Sequence, residues 1–217
     1  DELMVGTPPC VDVSISYADE FTAQVYIANT TDIAGFQFDL SAVSDGDFEL
    51  MDAFGGLAEL ASFEVSSNAS GTVVGFSLTG ATIPPSDGIL IELDYDMMGA
   101  YAILNLDNVI FSDSNGEAIP MGVGGEVVIG ELPPVPEAPT GLTATLSNMV
   151  DVELCWPWTD YAEFHTVYRD GQAIGNTQEI CFNDNGLDYD TSYIYWITAS
   201  NVMGESEASD TAEVTTE

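Results

Sequence analysis

Short segments in which apolar and polar residues alternate run through the whole chain, and this period of two constrains the fold more than any other feature. Val11, Val13, Ile15 and Tyr17 alternate with polar residues, and Phe21–Ile27 repeats the pattern. Because side chains of a β-strand point alternately to opposite faces of a sheet, each segment is predicted to be a strand with one buried face. Helical periodicity is almost absent. The pattern therefore predicts an all-β fold built from antiparallel strands.

Further strands are predicted where runs rich in Val, Ile, Phe, Tyr and Thr lie between Gly or Pro clusters. In the first part of the chain these runs are Phe36–Leu40, Ser62–Ser66, Thr72–Thr79, Gly88–Asp94, Tyr101–Phe111 and Gly125–Ile129. In the second part they are Gly141–Leu146, Val150–Trp156, Glu163–Arg169, Gln172–Ile174, Ile180–Phe182, Ser192–Asn201 and Ala212–Thr216. Only Phe54–Leu60 indicates a short helical turn.

A proline-rich stretch separates the two groups of strands. Residues 131–138 read ELPPVPEA, and prolines cannot donate to a β ladder and prefer an extended conformation. We therefore predict a linker at 131–138 between two β-sandwich domains, at 10–130 and 139–217. Residues 1–9 precede the first sandwich as an extension.

The charge of the chain excludes whole classes of partner. Asp and Glu number 37 against a single Lys or Arg, Arg169, which gives a formal net charge of −36. Nucleic acids and anionic membranes bind clustered cations, so neither is expected as a partner. No run of 18 apolar residues predicts a membrane span. With 46% hydrophobic residues the chain still has enough apolar surface to form folded cores.

Catalytic patterns are missing from the sequence, and the chain is predicted not to be an enzyme. It has one histidine, His165, and no lysine, and it shows none of the nucleophile, metalloprotease or phosphate-binding motifs. His165 lies in a predicted strand, where a surface position is expected. The many carboxylates make any acid–base pair chosen from sequence arbitrary.

Calcium is the one cofactor that the acidic composition favours, because Ca²⁺ takes six to eight oxygen ligands. Asp113, Asn115 and Glu117 form the best local candidate, although their spacing falls short of an EF-hand loop. The same residues are also typical of a hairpin turn, and the sequence leaves both interpretations open. Weaker candidates for ligands are Asp45, Asp47, Asp94, Asp96 and Asp107.

Two segments match the pattern for N-glycosylation. They begin at Asn29 and Asn68, and both lie in predicted turns. Such matches also arise by chance, so a sugar and an unmodified turn are equal alternatives at each site.

The second predicted sandwich resembles a fibronectin type III domain over its whole length. The residues that carry the resemblance are Pro139–Ala144, Val152, Leu154, Trp156, Phe164, Tyr168–Gly171, Asp184–Leu187, Tyr193, Tyr195, Ile197, Ala199 and Asn201–Ser206. The resemblance implies that Tyr193 forms the tyrosine corner of that fold, in which the hydroxyl bonds to the backbone. The loop at Asn201–Ser206 lacks Arg-Gly-Asp, so integrin binding does not carry over.

The first predicted sandwich resembles cohesin domains and their relatives in surface proteins. The resemblance rests on Val11–Ile15, Ile33–Leu40 and Ile110–Pro120 and covers about residues 9–130. It implies a jelly-roll-like sandwich, and cellulosomal cohesins bind dockerin modules through one sheet face. A dockerin-like ligand is therefore a candidate partner, although no residue of the sequence marks the binding face.

The three cysteines are Cys10, Cys155 and Cys181. In the fibronectin type III fold the strands that hold Cys155 and Cys181 are neighbours. If Leu154, Trp156, Ile180 and Phe182 face the core, both cysteines face outward on the same sheet. A cross-strand disulfide and two free thiols are equal alternatives, because the register is unknown. Cys10 is then either a free thiol or a link to a neighbouring molecule.

The N-terminal extension contains the apolar residues Leu3, Met4 and Val5, which resemble a detached strand. Such a strand can pair with the open sheet edge of a neighbouring copy. We therefore predict an extracellular structural or adhesive protein, with strand addition joining copies into a filament as one form. The alternatives are a scaffold module that binds a dockerin-like ligand and an accessory module of a secreted carbohydrate-active enzyme.

Overall fold

A computed structural model describes residues 10–217, and it confirms the all-β prediction. The chain forms two compact units, the first ending at Leu132 and the second covering Pro133–Glu217. The predicted N-terminal strand with Leu3, Met4 and Val5 lies outside the described residues. Within 10–217, no helix is long and apolar enough to cross a membrane.

Within residues 10–132, the first unit contains ten strands and one short helix. In chain order they are β1 Val11–Ala18, β2 Thr22–Asn29, β3 Gly35–Ser44, β4 Asp47–Phe54, α1 Gly56–Leu60, β5 Glu64–Ser67, β6 Thr72–Phe76, β7 Ser86–Met98, β8 Tyr101–Ser112, β9 Met121–Val123 and β10 Val127–Gly130. They form two five-stranded sheets, one in the order β4-β7-β2-β1-β9 and the other in the order β10-β8-β3-β6-β5. All pairings are antiparallel except the one between β1 and β9.

The alternating pattern explains how the two sheets meet. Along β2 every second residue is buried, and β1 and β3 bury alternate residues over most of their length. The buried side chains form one apolar cluster that includes Val25, Phe38, Leu93 and Phe111, each fully buried. Burial of this surface stabilises the unit, and the opposite side of each strand is left for solvent or a partner.

Strand β4 was not predicted, and its sequence shows why. Its residues read DFELMDAF, in which carboxylates interrupt the apolar alternation, and the register with β7 shifts between Leu50 and Asp52. This bulge puts Leu50 and Ala53 in the core although they are three residues apart. A strict period of two therefore fails to find the strand.

The second unit contains eight strands. In chain order they are β11 Thr143–Leu146, β12 Val152–Cys155, β13 Phe164–Arg169, β14 Gln172–Thr177, β15 Cys181–Asp184, β16 Ser192–Asn201, β17 Gly204–Glu205 and β18 Ala212–Thr215. One sheet has the order β11-β12-β15, and the other has the order β14-β13-β16-β17 with β18 also pairing with β16. Its smaller core packs around Trp156, Val167, Tyr195 and Ile197.

Part of the predicted linker lies within the second unit. The side-chain amide of buried Asn201 donates to the carbonyl oxygen of Pro134 at 2.8 Å, and Pro136 is itself buried. Because these contacts fix 133–138 to the fibronectin-like fold, the boundary between the units falls at Leu132 and Pro133 rather than after residue 138.

Candidate binding face

The outer face of the sheet β10-β8-β3-β6-β5 shows an ordered change from apolar to polar and back. At one end Val128 lies opposite Ile103, which lies opposite Val43, so the three form an apolar row. At the other end Ile110 lies opposite Gln37, which in turn lies opposite Val74, with Phe76 two residues further along β6. Ile110, Val43, Val128 and Phe76 are each between 44% and 50% exposed.

A polar cluster lies between the two apolar rows, where β8 bulges against β3. The register passes from Gln37 opposite Ile110 to Asp39 opposite Asp107, and Asn108 has a positive φ of 48°. The Asn108 amide donates to Oδ2 of Asp39 at 2.7 Å, and the Ser41 hydroxyl donates to Oδ2 of Asp107 at 2.5 Å. The bulge thereby holds two carboxylates side by side at the centre of the face.

Asp39 has hydrogen-bonding capacity left over. Its Oδ1 is buried and has no well-formed hydrogen bond among the described residues. The Asn108 bond, followed by the nearby Thr72 hydroxyl, lowers the pKa of Asp39, so the carboxylate is ionised at neutral pH. The centre of the face therefore carries a fixed negative charge.

A small depression adjoins the apolar row that contains Ile110. It has a volume of about 220 Å³ and is lined by Gln37, Val74, Phe76 and Ile110 together with parts of Gly35, Phe36, Gly75 and Ser112. Such a hollow is large enough for one or two apolar side chains. The face therefore combines a shallow apolar hollow, an acidic centre and a second apolar row.

The structure places the predicted calcium ligands in a tight turn. Oδ1 of Asp113 accepts hydrogen bonds from the backbone N–H groups of Asn115 at 2.8 Å and Glu117 at 2.9 Å, and Gly116 has a positive φ of 80°. These two bonds, with that of Glu117 first, lower the pKa of Asp113. Within residues 10–217 no group of three metal-binding side chains converges. The Asp113 carboxylate accepts hydrogen bonds within the turn, and calcium binding at Asp113, Asn115 and Glu117 stays a prediction.

The five weaker ligand candidates are spread over unit 1. Asp45 accepts the backbone N–H groups of Ala100 and Tyr101, and Asp107 belongs to the polar cluster. The other three lie on the other sheet, where Asp47 is opposite Met98, Asp94 is opposite Asp52 and Asp96 is opposite Glu49.

The two glycosylation patterns differ in accessibility. The Asn29 side chain is only 5% exposed, and its amide donates to the carbonyl oxygens of Thr31 and Pro84. This packing contradicts the predicted glycan at Asn29, because the side-chain nitrogen that would carry the sugar is buried and already donates two hydrogen bonds. Asn68 is exposed in the turn between β5 and β6, and its Oδ1 accepts the backbone N–H groups of Ser70 and Thr72.

Cys155 and Cys181 lie directly opposite each other on β12 and β15 and form a disulfide, with a Cα–Cα distance of 4.1 Å. Cys10 is a free, partly exposed thiol. The expectation that Ile180 faces the core is wrong, since Ile180 precedes β15 and is 49% exposed. The pairing of the cysteines depends on the strand register, which local sequence does not determine.

His165 is not at the surface, contrary to the sequence-based expectation. It is fully buried, because β13 directs His165 and Val167 inward. Its ring lies edge-on to Trp156 and Trp158, and Nε2 is 3.0 Å from the Thr159 hydroxyl. Nδ1 is buried without a hydrogen-bond partner among the described residues, and burial lowers the pKa of His165.

Arg169, the one Lys or Arg of the chain, joins the two sheets of unit 2. Its Nη1 contacts both carboxylate oxygens of Asp184, at 2.7 and 2.8 Å, and the Tyr195 hydroxyl donates to the same carboxylate at 2.8 Å. The guanidinium also lies over the ring of Tyr193. The Tyr193 hydroxyl accepts the backbone N–H of Asp188 at 3.0 Å, as expected of a tyrosine corner.

Comparison with known proteins gives partial matches. No protein-family model matches the chain. A curated poly(3-hydroxybutyrate) depolymerase from Ralstonia pickettii is 36% identical over 80 residues, which are 36% of this chain and 16% of the depolymerase. The match therefore spans about a sixth of the length of that relative.

Several solved structures are similar in fold. The cohesin of a type I cohesin–dockerin complex from Clostridium thermocellum is 16% identical and covers 58% of this chain and 97% of its own, with a TM-score of 0.46. A non-cellulosomal cohesin from Archaeoglobus fulgidus is 17% identical and covers 56% of this chain and 91% of its own, with a TM-score of 0.43. A structure named FN3tt is 26% identical and covers 39% of this chain and 98% of its own, with a TM-score of 0.36. The chain is thus similar to cohesin domains and to a fibronectin type III domain, as its sequence predicted.

Proposed function

We propose that this protein is a non-catalytic extracellular binding module whose first unit holds a partner protein through the outer face of the sheet β10-β8-β3-β6-β5. The observation that carries the proposal is the order of that face, in which a polar cluster around Asp39 separates two exposed apolar rows. Protein interfaces commonly combine buried apolar anchors with a few fixed polar contacts.

The polar cluster is a second argument that this face binds a partner. The bulge at Asn108 fixes Asp39 and Asp107 before any partner arrives, so little side-chain entropy is lost on association. Both carboxylates accept hydrogen bonds from neighbouring side chains and present a fixed negative charge. A partner that offers hydroxyl, amide or cationic donors between two apolar side chains would complement this face.

A dockerin-like module is the partner that we propose. The similar cohesin from Clostridium thermocellum is itself bound to a dockerin, and this chain shares the β-sandwich architecture. The net charge of −36 further favours a partner whose contact surface carries positive charge, because opposite charges speed association and disfavour acidic competitors.

Binding to a panel of purified dockerins, measured by calorimetry, tests this function. Phe76→Glu should reduce affinity at least about 100-fold, because it places a charge in the apolar row. Met51→Glu is the matched control, since Met51 is an exposed apolar residue (62%) on β4 of the other sheet. Equal loss in both variants, or no loss in Phe76→Glu, would refute the proposed face.

Assembly into a filament remains a second proposal. Within the described residues the sheet ends in β10 and β5, whose outer edges could accept another strand. The proposed donor is the segment with Leu3, Met4 and Val5. Imaging should show fibres for the intact protein and separate particles after deletion of residues 1–9. Compact particles from the intact protein at high concentration would contradict assembly.

The match to a depolymerase favours a third proposal, in which the chain is an accessory module of a secreted polymer-degrading enzyme. Sedimentation with poly(3-hydroxybutyrate) particles should then carry the chain into the pellet without hydrolysis. Retention in the supernatant would argue against this role.

Calcium binding and a glycan on Asn68 also remain proposals. A chelator should lower the melting temperature if calcium is bound, and mass spectrometry of protein from its native source should show a sugar on Asn68.

A further inference from the structure

The second unit contains a groove with a volume of about 470 Å³ that no part of the proposed function uses. Two segments line it, Pro134–Thr140 and Pro157–Tyr161. Trp158 and Tyr161 are 46% and 62% exposed, which is unusual for large aromatic side chains at neighbouring positions. The size of the groove is within the range of sites that bind small ligands or single side chains.

Internal contacts hold the two lining segments in place. The buried side chain of Asn201 donates to the carbonyl oxygen of Pro134 at 2.8 Å and to that of Tyr161 at 3.0 Å, so one residue ties both segments. Trp158 packs against the buried ring of His165, whose Nε2 contacts the Thr159 hydroxyl. The groove is therefore built by the fold and does not depend on a ligand to form.

Tyr161 has a backbone conformation that a bulky residue rarely adopts, with φ of 63°. The strain persists because Asn201 holds the Tyr161 carbonyl and the N–H of Ala162 donates to the carbonyl oxygen of Thr159 at 3.2 Å. Glycine at position 161 would relieve the backbone strain, so the exposed tyrosine is held there at a cost in free energy. Strain of this kind is often found where a side chain must be presented to a ligand.

The charge of the groove favours a cationic ligand. Glu137 and Asp160 are among the lining residues, and no lysine or arginine is available to neutralise them, because Arg169 is bound to Asp184. Aromatic faces beside carboxylates attract a cation through both the ring quadrupole and the negative charge. A neutral sugar would stack on the rings but would leave the two charges uncompensated.

We propose that this groove binds a lysine or arginine side chain presented by an extended segment of a partner protein. The aromatic side chains Trp158 and Tyr161 contact the cationic group, and Glu137 and Asp160 balance its charge. The proposal concerns unit 2 alone and does not depend on the binding face of unit 1.

The test uses the full chain and two short peptides, acetyl-Gly-Gly-Arg-Gly-Gly-amide and its counterpart with neutral citrulline. NMR titration at low ionic strength should shift the Trp158 indole N–H signal with the arginine peptide and not with the citrulline peptide. Equal shifts with both peptides would overturn the proposal, and so would binding of chitobiose in place of either peptide.

Variants separate the groove from the general acidity of the chain. Trp158→Ala should weaken binding of the arginine peptide about tenfold, and the double variant Glu137→Gln with Asp160→Asn about as much. Glu213→Gln with Glu153→Gln is the matched control, because it removes the same charge from exposed positions outside the groove. If the control weakens binding as much as the groove variants, general acidity explains it and the site is refuted. Thermal melting confirms that each variant folds, and the charge variants test the site even if Trp158→Ala does not fold.

Discussion

The two units are stabilised by different means. The first relies on a large apolar cluster, in which residues such as Phe38 and Leu93 are fully buried. The second has a smaller core and adds a disulfide and an ion pair between Arg169 on one sheet and Asp184 on the other. A small domain buries too little apolar surface to rely on it alone, so covalent and ionic links compensate. The difference predicts different responses to mutation.

The largest effect is expected from the disulfide. Replacing Cys155 and Cys181 by alanine should destabilise unit 2 by about 3 kcal/mol, because the bridge closes a loop with a sequence separation of 26. All three tryptophans lie in unit 2, so denaturant unfolding followed by tryptophan fluorescence reports on this unit alone. Cys10→Ala is the control and should leave that transition in place. An unchanged midpoint in the double variant would contradict the assigned role.

Breaking the ion pair should cost somewhat less. Arg169→Met leaves Asp184, whose side chain is 10% exposed, with the Tyr195 hydroxyl as its one side-chain partner among residues 10–217. We expect a loss of about 2 kcal/mol in the same fluorescence assay. Adding Asp184→Leu should restore part of it, because the unpaired buried charge is then removed. A double variant as unstable as the sum of the two single changes would show that the pair itself matters little.

The pH dependence of unit 2 should follow from His165. Burial lowers the pKa of His165 below 6.5, so the unfolded chain binds the proton more readily than the folded one. The free energy of unfolding of unit 2 is therefore highest above pH 6.5, where His165 is neutral in both states. It decreases as the pH falls from 6.5 towards the pKa of folded His165, by at most about 1.4 kcal/mol per pH unit. His165→Gln should flatten this slope between pH 6.5 and 5. If the free energy of unfolding of the variant still falls between pH 6.5 and 5, carboxylates rather than His165 cause the pH dependence.

The smallest effect is expected in unit 1, on the outer face of the sheet that contains β4 and β7. There Glu49 lies directly opposite Asp96, and like charges at such positions repel each other. Glu49→Gln should raise the melting temperature of unit 1 by about 2 °C at low salt and by nothing at high salt. Scanning calorimetry measures it, with the transition of unit 2 identified separately by tryptophan fluorescence, and Glu59→Gln on α1 is the control. A gain that persists at high salt would exclude repulsion as the cause.

The sequence predicted most strands but not the sites, for a physical reason. Alternation along Val11–Tyr17 depends on neighbours two residues apart, so a single sequence reveals it. The polar cluster joins Asp39 to Asn108, 69 residues away, through a bulge whose register is set by the whole sheet. His165 was misassigned because polarity suggested the surface, whereas the inward side of β13 is decided by packing against Trp156 and Trp158.

The Arg169–Asp184 pair has a consequence for how the protein meets proteases. Enzymes that cut after lysine or arginine find one target in the entire chain, the bond between Arg169 and Asp170. That arginine lies at the end of β13, paired with Tyr195 of β16, and its guanidinium is clamped by Asp184. Cleavage requires an extended, accessible segment, so trypsin can cut only after unit 2 opens. The rate of tryptic digestion therefore measures the opening of the second unit while the first passes through the assay intact.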